Sequence, residues 1–337
     1  MSLSDLLPCL RQHRRFFSVS LTLLGAFLSV LLITALVQAN NFSHEPSIRP
    51  MAESTWGLIW NDEFGGTGGV NTSTWIYDVG TSYPGGPPNW GTHEVEVMTN
   101  STNNVFQSGG NLNIRALHAG TAPTTGWTAG RLESVRTDFR PPISGLLAVE
   151  ARIQLPDVTG AAAQGYWPAF WMLGAPYRGN YWNWPGVGEI DIMENINGNN
   201  EWVGTFHCGV ISGGPCYETV GRSSGPVGGF FPPLQKAFHI YRFEWDRRSA
   251  HEQFRWYVDG VPRHTVNEND PGLDAAAWVS ATNHGFFIIL NVAMGGDWPG
   301  YPTSSTVSGG TMLIDYVRVY VQPAWAVYLP VIIKDSA

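Results

Sequence analysis

From Trp56 to Tyr320 the chain is broken every few residues by Gly, Pro, Asn, Asp or Ser, and the runs between these breaks are short and apolar. Leu112–Ala116, Val149–Ile153, Ile240–Trp245 and Phe254–Val258 alternate, the period of a strand with one buried face. Val258-Asp259-Gly260-Val261 carries the Asp-Gly pair of a two-residue hairpin. Phe286–Val292 is continuously apolar, as in a strand buried on both faces. Met312–Val321 alternates again around Asp315 and Arg318. No long amphipathic helical pattern interrupts this series. The pattern predicts an all-β sandwich, with no domain break inside 56–321 and no internal repeat.

The flanks have a different character. Arg11, Arg14 and Arg15 precede an uncharged, mostly apolar run from Phe16 to Val37, and Val37-Gln38-Ala39 offers a small-residue cleavage site before Asn40. Residues 1–39 are predicted to be an export signal. The run is also long enough to span a membrane, so an uncleaved anchor with the remainder outside is the alternative. Residues 40–55 read as a linker with Pro46 and Pro50, and 322–337 as a short, partly apolar tail. Net charge is −8 and no long basic run follows the N-terminal region, which argues against nucleic acid as a partner. Of three cysteines, Cys9 lies in the signal; Cys208 and Cys216 are expected to close a small loop disulfide in an exported chain. A zinc site using both with His207 is a poor match to known ligand patterns.

Glu189-Ile-Asp-Ile-Met-Glu194 places three carboxylates in one β-prone stretch, although only 14% of the chain is charged. On a strand Glu189 and Asp191 share a face, and strict alternation would put Glu194 on the other. One extra residue at Ile192–Met193, a β-bulge, would return Glu194 to the side of the other two. Burying three carboxylates together is costly unless chemistry requires it; the bland alternative is a solvated strand face. Fifteen Trp can serve as sugar-stacking platforms or as core filler, and composition alone does not divide them.

Other chemistries fail on context. Gly221-Arg-Ser-Ser-Gly225 matches a nucleophile elbow in letters but sits in a Gly/Ser/Pro loop, not between a strand and a helix. There is no phosphate-binding loop with Lys and no dinucleotide fingerprint. His251-Glu252 lacks the second His of a zinc protease. Two acids flanking one bond meet the requirement of glycoside hydrolysis: one ionised to attack, one protonated for the leaving oxygen. Crowding of like charges raises the pKa of one member and divides those roles. The Cα atoms of Glu189 and Glu194 would lie roughly 13–16 Å apart on a regular strand. A retaining reaction needs carboxyls about 5–5.5 Å apart, which long side chains and a bulge permit.

The chain resembles glycoside hydrolase family 16, in its laminarinase-like (endo-β-1,3-glucanase) branch, over about residues 56–321. The motifs are Gly188–Glu194 with its bulge residue, Trp167-Pro-Ala-Phe-Trp-Met-Leu173, Trp60–Phe64, Gly130-Arg131 with Ser134, Gly204–His207, Phe243–Trp245, Trp256–Gly260, Asn291–Gly296 with Trp298–Gly300, and Asp315–Tyr320. The resemblance implies a jelly-roll sandwich of two antiparallel sheets, concanavalin A-like, with a concave cleft. It implies a retaining double displacement with Glu189 as nucleophile, Asp191 as its assistant and Glu194 as acid/base. It implies sugar stacking by Trp171, Trp184 and Trp298 and hydroxyl contacts by Arg131, Glu94 and His207. No cofactor is expected for catalysis; a structural calcium held by Glu63, Asp315 and a carbonyl near Gly110 is implied.

Departures leave the substrate open. The family's usual Asn-Glu-Leu-Gln stretch reads His93-Glu-Val-Glu96 here, and an aromatic insertion, Tyr177–Trp184, precedes the acidic strand. The leading expectation is a secreted, monomeric endo-β-1,3-glucanase acting on laminarin or curdlan. The rivals are the same mechanism on β-1,3-galactan or mixed-linkage glucan, and a non-catalytic β-glucan-binding protein. Such binders typically lack the two glutamates.

Overall fold

The computed structural model describes residues 56–323; the predicted signal, the linker and all but the first two residues of the predicted tail lie outside them. Two eight-stranded antiparallel sheets are packed face to face, as the resemblance implied. The backing sheet runs Val261–Asn267, Gln253–Val258, His239–Asp246, Leu146–Gln154, Thr311–Gln322, Asn111–Arg115 and Val105–Ser108, with Gly57–Asp62 also paired to Thr311–Gln322. The site-bearing sheet runs Arg222–Ser223, Glu201–His207, Glu189–Glu194, Tyr166–Gly174, Phe286–Met294, Arg131–Ser134 and Trp75–Tyr77, with Val227–Gly228 also paired to Glu201–His207.

The predicted strands are all present. Phe286–Met294 is buried along its whole length because it lies inside its sheet between Tyr166–Gly174 and Arg131–Ser134, with both faces covered. At the Asp-Gly hairpin Asp259 (φ 52°) and Gly260 (φ 73°) both take positive φ, which matches the twist of the flanking strands. Two elements have no signal in the residue pattern. Glu96–Met98 pairs in parallel with Trp127–Ala129 in a small third sheet that also holds Leu117–His118. Ala275–Thr282 is an α-helix whose first turn is capped by Asp274, which accepts from the Ala277 N–H at 2.8 Å.

Between the sheets sits an aromatic core. Phe206, Phe243, Trp245, Phe254 and Trp256 meet edge to face with ring centroids 4.9–5.4 Å apart. Among the described residues, six tryptophans (Trp75, Trp127, Trp202, Trp245, Trp256, Trp278) are fully buried there, so much of the Trp content is packing. Gly188 (φ 73°) leads into the acidic strand; a Cβ there would stand 2.4 Å from the Ala281 carbonyl, so only glycine lets the strand pass this close to the helix.

Candidate active site

The site is built on Glu189–Glu194. Its pairing with Tyr166–Gly174 matches Trp171 to Asp191 but Phe170 to Met193, so Ile192 is the extra residue. The shift recurs against Glu201–His207, where Asp191 faces Thr205 and Glu194 faces Val203. The predicted bulge is therefore present. Ile190 and Ile192 are fully buried, while Glu189 and Glu194 keep partial exposure.

A bulge leaves backbone carbonyls outside the regular ladder, and two buried indoles approach them. Trp202 donates to the Ile192 carbonyl at 2.9 Å, and Trp256, from the opposite sheet, donates to the Asp191 carbonyl at 2.8 Å. Trp256→Phe keeps an aromatic ring, removes the donor and leaves a void where the pyrrole stood. It is expected to cost about 1–3 kcal/mol through the unpaired buried carbonyl. Thermal unfolding would show this as a lower Tm; an unchanged Tm would rule out that role for the indole.

The carboxylates have distinct partners. Trp184 donates to Glu189 at 3.1 Å, and Trp167 donates to Glu194 at 3.0 Å. Asp191 is 3% exposed, and its Oδ2 stands 3.2 Å from His207 Nε2, which lies 3.9 Å from Glu189 Oε1. The other imidazole nitrogen, Nδ1, is 2.8 Å from Glu218. Burial is the largest influence on each group. It raises all three carboxyl pKa values, and mutual repulsion raises them further for Glu189 and Glu194. Glu189 is pushed up to about 8, Asp191 is raised, and Glu194 stands well above the usual range. Burial alone would strip His207 of its proton, but Asp191, Glu218 and Glu189 outweigh it and hold its pKa well above the ordinary value. Of the two glutamates, Glu194 holds its proton more firmly, while the His207 charge draws the Glu189 and Asp191 values down.

The aromatic residues line the same sheet. Trp171 donates to Asn291 at 2.8 Å. Trp298 is 41% exposed and meets Trp167 edge to face at 5.6 Å. Tyr181, from the aromatic insertion, stacks on Tyr83 with centroids 4.3 Å apart. Tyr83, Tyr177, Leu173, Phe287 and Ile289 form a second apolar cluster against which Trp171 and Trp184 pack, so the insertion walls the site beside the carboxylates.

Three expected roles change. Arg131 is buried, bonded to Asp78 (3.0 Å) and Tyr83 (2.8 Å), with its guanidinium against the rings of Trp90 and Trp171. It supports Trp171 from below rather than reaching for sugar hydroxyls. His207 is 9% exposed and wedged among carboxylates, so its contacts are internal. For the calcium, Glu63 follows Gly57–Asp62, and Asp315 lies on Thr311–Gln322, the strand with which Gly57–Asp62 pairs. However, Glu63 is forked by Arg318 at 2.7 and 2.8 Å, and Asp315 is held by Arg152 at 2.6 Å. Gly110 lies in the turn between Val105–Ser108 and Asn111–Arg115. Two carboxylates already neutralised by arginines do not fit a hard cation, and nothing below is routed through one. Among the described residues, Glu189, Asp191 and His207 have donor atoms within 4.8 Å of one another, and the other imidazole nitrogen is held by Glu218 at 2.8 Å.

Glu94 is buried, accepts from the Thr92 hydroxyl at 2.6 Å and leaves its other oxygen without a partner. Glu96, the departure from the family pattern, is wholly buried. It accepts from the Met294 N–H at 2.8 Å, and its second oxygen is likewise unpartnered. Burial, then the adjacent Glu94, push the Glu96 pKa well above the carboxylate range, so Glu96 is protonated and can donate to Glu94. A raised folded-state pKa gives stability that is complete below the unfolded value of about 4.3 and is lost as pH rises toward the folded one. Glu96→Gln, a donor that does not titrate, is therefore expected to raise Tm at pH 9 by roughly 2–4 °C and to leave it unchanged at pH 4. Melting curves at the two pH values check this; equal effects at both would refute the shared proton.

Glu218 lay in no motif. Trp167, Asn291 and Glu96 were visible within motifs, but their bonds to Glu194, Trp171 and Met294 were not.

A two-sheet sandwich with a bulged strand that gathers three carboxyls among tryptophans defines a carbohydrate-cleaving enzyme of the two-carboxylate class. The chain belongs to the glycosyl hydrolases family 16, whose model matches residues 92–318. The crystal structure of the endo-1,3-beta-glucanase from Streptomyces sioyaensis superposes with a TM-score of 0.76 at 52% identity, covering 81% of this chain and 98% of that one. The beta-glucanase of Rhodothermus marinus is 33% identical over 79% of this chain and 85% of its own length. The glucan endo-1,3-beta-glucosidase A1 of Niallia circulans is 32% identical over 78% of this chain, which spans only 37% of that longer protein.

Proposed function

We propose that the protein is an endo-β-1,3-glucanase that cuts internal bonds of laminarin- or curdlan-type chains with retention of configuration. The observation that carries this is the bulge. It sets Glu189 and Glu194 on one face of one strand, with the proton held preferentially by Glu194. In the first step Glu194 gives its proton to the glycosidic oxygen while Glu189 attacks the anomeric carbon, and the leaving chain departs with a free hydroxyl. In the second, Glu194, now a carboxylate, takes a proton from water. The resulting hydroxide displaces Glu189 and restores both groups. Asp191, in contact with His207, holds the imidazole beside Glu189, where its charge offsets that of the carboxylates. Trp171, Trp184 and Trp298 offer stacking faces for sugar rings. The β-1,3 preference is supported by relatives named as a glucan endo-1,3-beta-glucosidase and as endo-1,3-beta-glucanases.

The catalytic unit spans 56–321. Export is supported by the N-terminal pattern, and an uncleaved anchor is the alternative; among the described residues no helix is long and apolar enough to cross a membrane. The test is product release from laminarin, curdlan, lichenan, β-1,3-galactan and agarose, with the Glu189→Gln variant alongside. Oligosaccharides from laminarin or curdlan, absent in the variant, support the proposal. Products from galactan alone would move the substrate and keep the mechanism. Binding of laminarin without products would make the chain a binding protein.

A further inference from the structure

Glu218 stands out because its side chain is fully buried in a loop that is otherwise largely exposed: Val210, Ile211, Tyr217 and Val220 are all more than half exposed. An isolated buried carboxylate is costly unless it is paired and hydrogen-bonded. Glu218 has two partners. Its Oε2 lies 2.8 Å from His207 Nδ1, and its Oε1 accepts the Cys208 N–H at 2.9 Å.

The loop is shaped to deliver it. Cys208, directly after His207, is joined to Cys216 by a disulfide with Cα atoms 5.4 Å apart. Glu218 follows two residues later, and its backbone is bridged to Gly213. The loop returns at Gly221 (φ 72°), where a Cβ would lie 2.8–2.9 Å from the His207 ring, so glycine is needed for the chain to press against the imidazole. Arg222 then holds the loop through the Pro215 carbonyl at 2.7 Å.

We propose that Glu218 is a positioning residue for the reaction: held by the disulfide loop, it fixes His207 as an imidazolium whose Nε2–H is presented to Asp191 and Glu189. This rests on the proposed glycosidase reading. Without a carboxylate on Nδ1, the imidazole would be free to lose its proton or to turn an unprotonated nitrogen toward Asp191. The charged groups that face His207 are Asp191, Glu189 and Glu194 from the acidic strand and Glu218 from the loop, with the Arg131 charge also felt at Glu189. His207 offsets the negative charge of this set; its proton favours the ionised nucleophile.

The test is Glu218→Gln, which keeps shape and removes charge. Two-dimensional NMR of the imidazole is expected to show His207 protonated to higher pH in the wild type, with its titration at least about one pH unit lower in the variant. The alkaline limb of kcat/KM on laminarin should move down by about the same amount, with kcat reduced roughly tenfold and KM within about twofold. In a His207→Gln background, Glu218→Gln should cause less than about a twofold further loss, because Glu218 acts through His207. Opening the disulfide with Cys208→Ser and Cys216→Ser together should move the His207 titration in the same direction. An unchanged His207 titration and pH profile, with only a lower Tm, would overturn the proposal, as would fully additive losses in the double variant. The NMR readout needs no substrate. A wild type that cleaves no polysaccharide yet shows the His207 shift would remove the glycosidase reading and leave the Glu218–His207 coupling standing.

Discussion

Glu189→Gln is expected to lower kcat on laminarin by roughly 10⁴-fold or more, with laminarin binding retained. The amide has nearly the same shape and can still accept the Trp184 N–H, so the cleft is preserved. What is lost is the negative charge that makes the carboxylate oxygen nucleophilic enough to form the glycosyl–enzyme bond. Glu189→Ala with added azide gives the sharper form of the test. The small anion would enter the vacated space and attack the anomeric carbon directly, giving a glycosyl azide of inverted configuration. Near-wild-type activity in the Gln variant, or an azide product of retained configuration, would remove Glu189 as nucleophile.

For Glu194→Gln the expected loss on laminarin is about 10²–10⁴-fold, the range of a general acid–base contribution. The two variants should differ in kind. With an activated aryl β-glycoside the leaving group needs no proton, so the first step of Glu194→Gln should proceed. The covalent intermediate should then accumulate, because water is no longer deprotonated; a burst of aryl alcohol would report it. Azide should accelerate turnover of Glu194→Ala by attacking that intermediate, giving a product of retained configuration. The pH dependence follows from burial and from the Asp191 charge, which hold the Glu194 pKa well above the usual range. The wild type keeps its acid protonated at neutral pH and loses activity as pH rises through that value. On the aryl substrate the Gln variant should lose the part of the alkaline limb set by Glu194 and keep only the part that Glu218→Gln moves through His207. A limb identical to that of the wild type would make another group the acid.

The acidic strand shows how far residue order reaches. The positions of Glu189, Asp191 and Glu194 required a bulge if all three were to share a face, and the register shift lies at the expected residues. The alternating runs likewise marked the long strands, because side-chain direction along a strand is a local property with period two. Glu96–Met98 is too short for that signal and is held by a parallel neighbour some thirty residues away.

Residue order by itself determined the strand content, the bulged acidic face and the class of chemistry that such a face performs. Tertiary structure decided which charged group meets which. Arg131 was a plausible sugar contact until burial among Asp78, Tyr83, Trp90 and Trp171 made it a support. Glu63 and Asp315 were matched to a cation until Arg318 and Arg152 proved to occupy them. Glu218 carries no motif, and its place beside His207 follows from a disulfide loop folding back on the site. Periodicity is written in neighbouring residues, whereas ion pairing, proton sharing and desolvation depend on which distant segments the sandwich brings within hydrogen-bond distance.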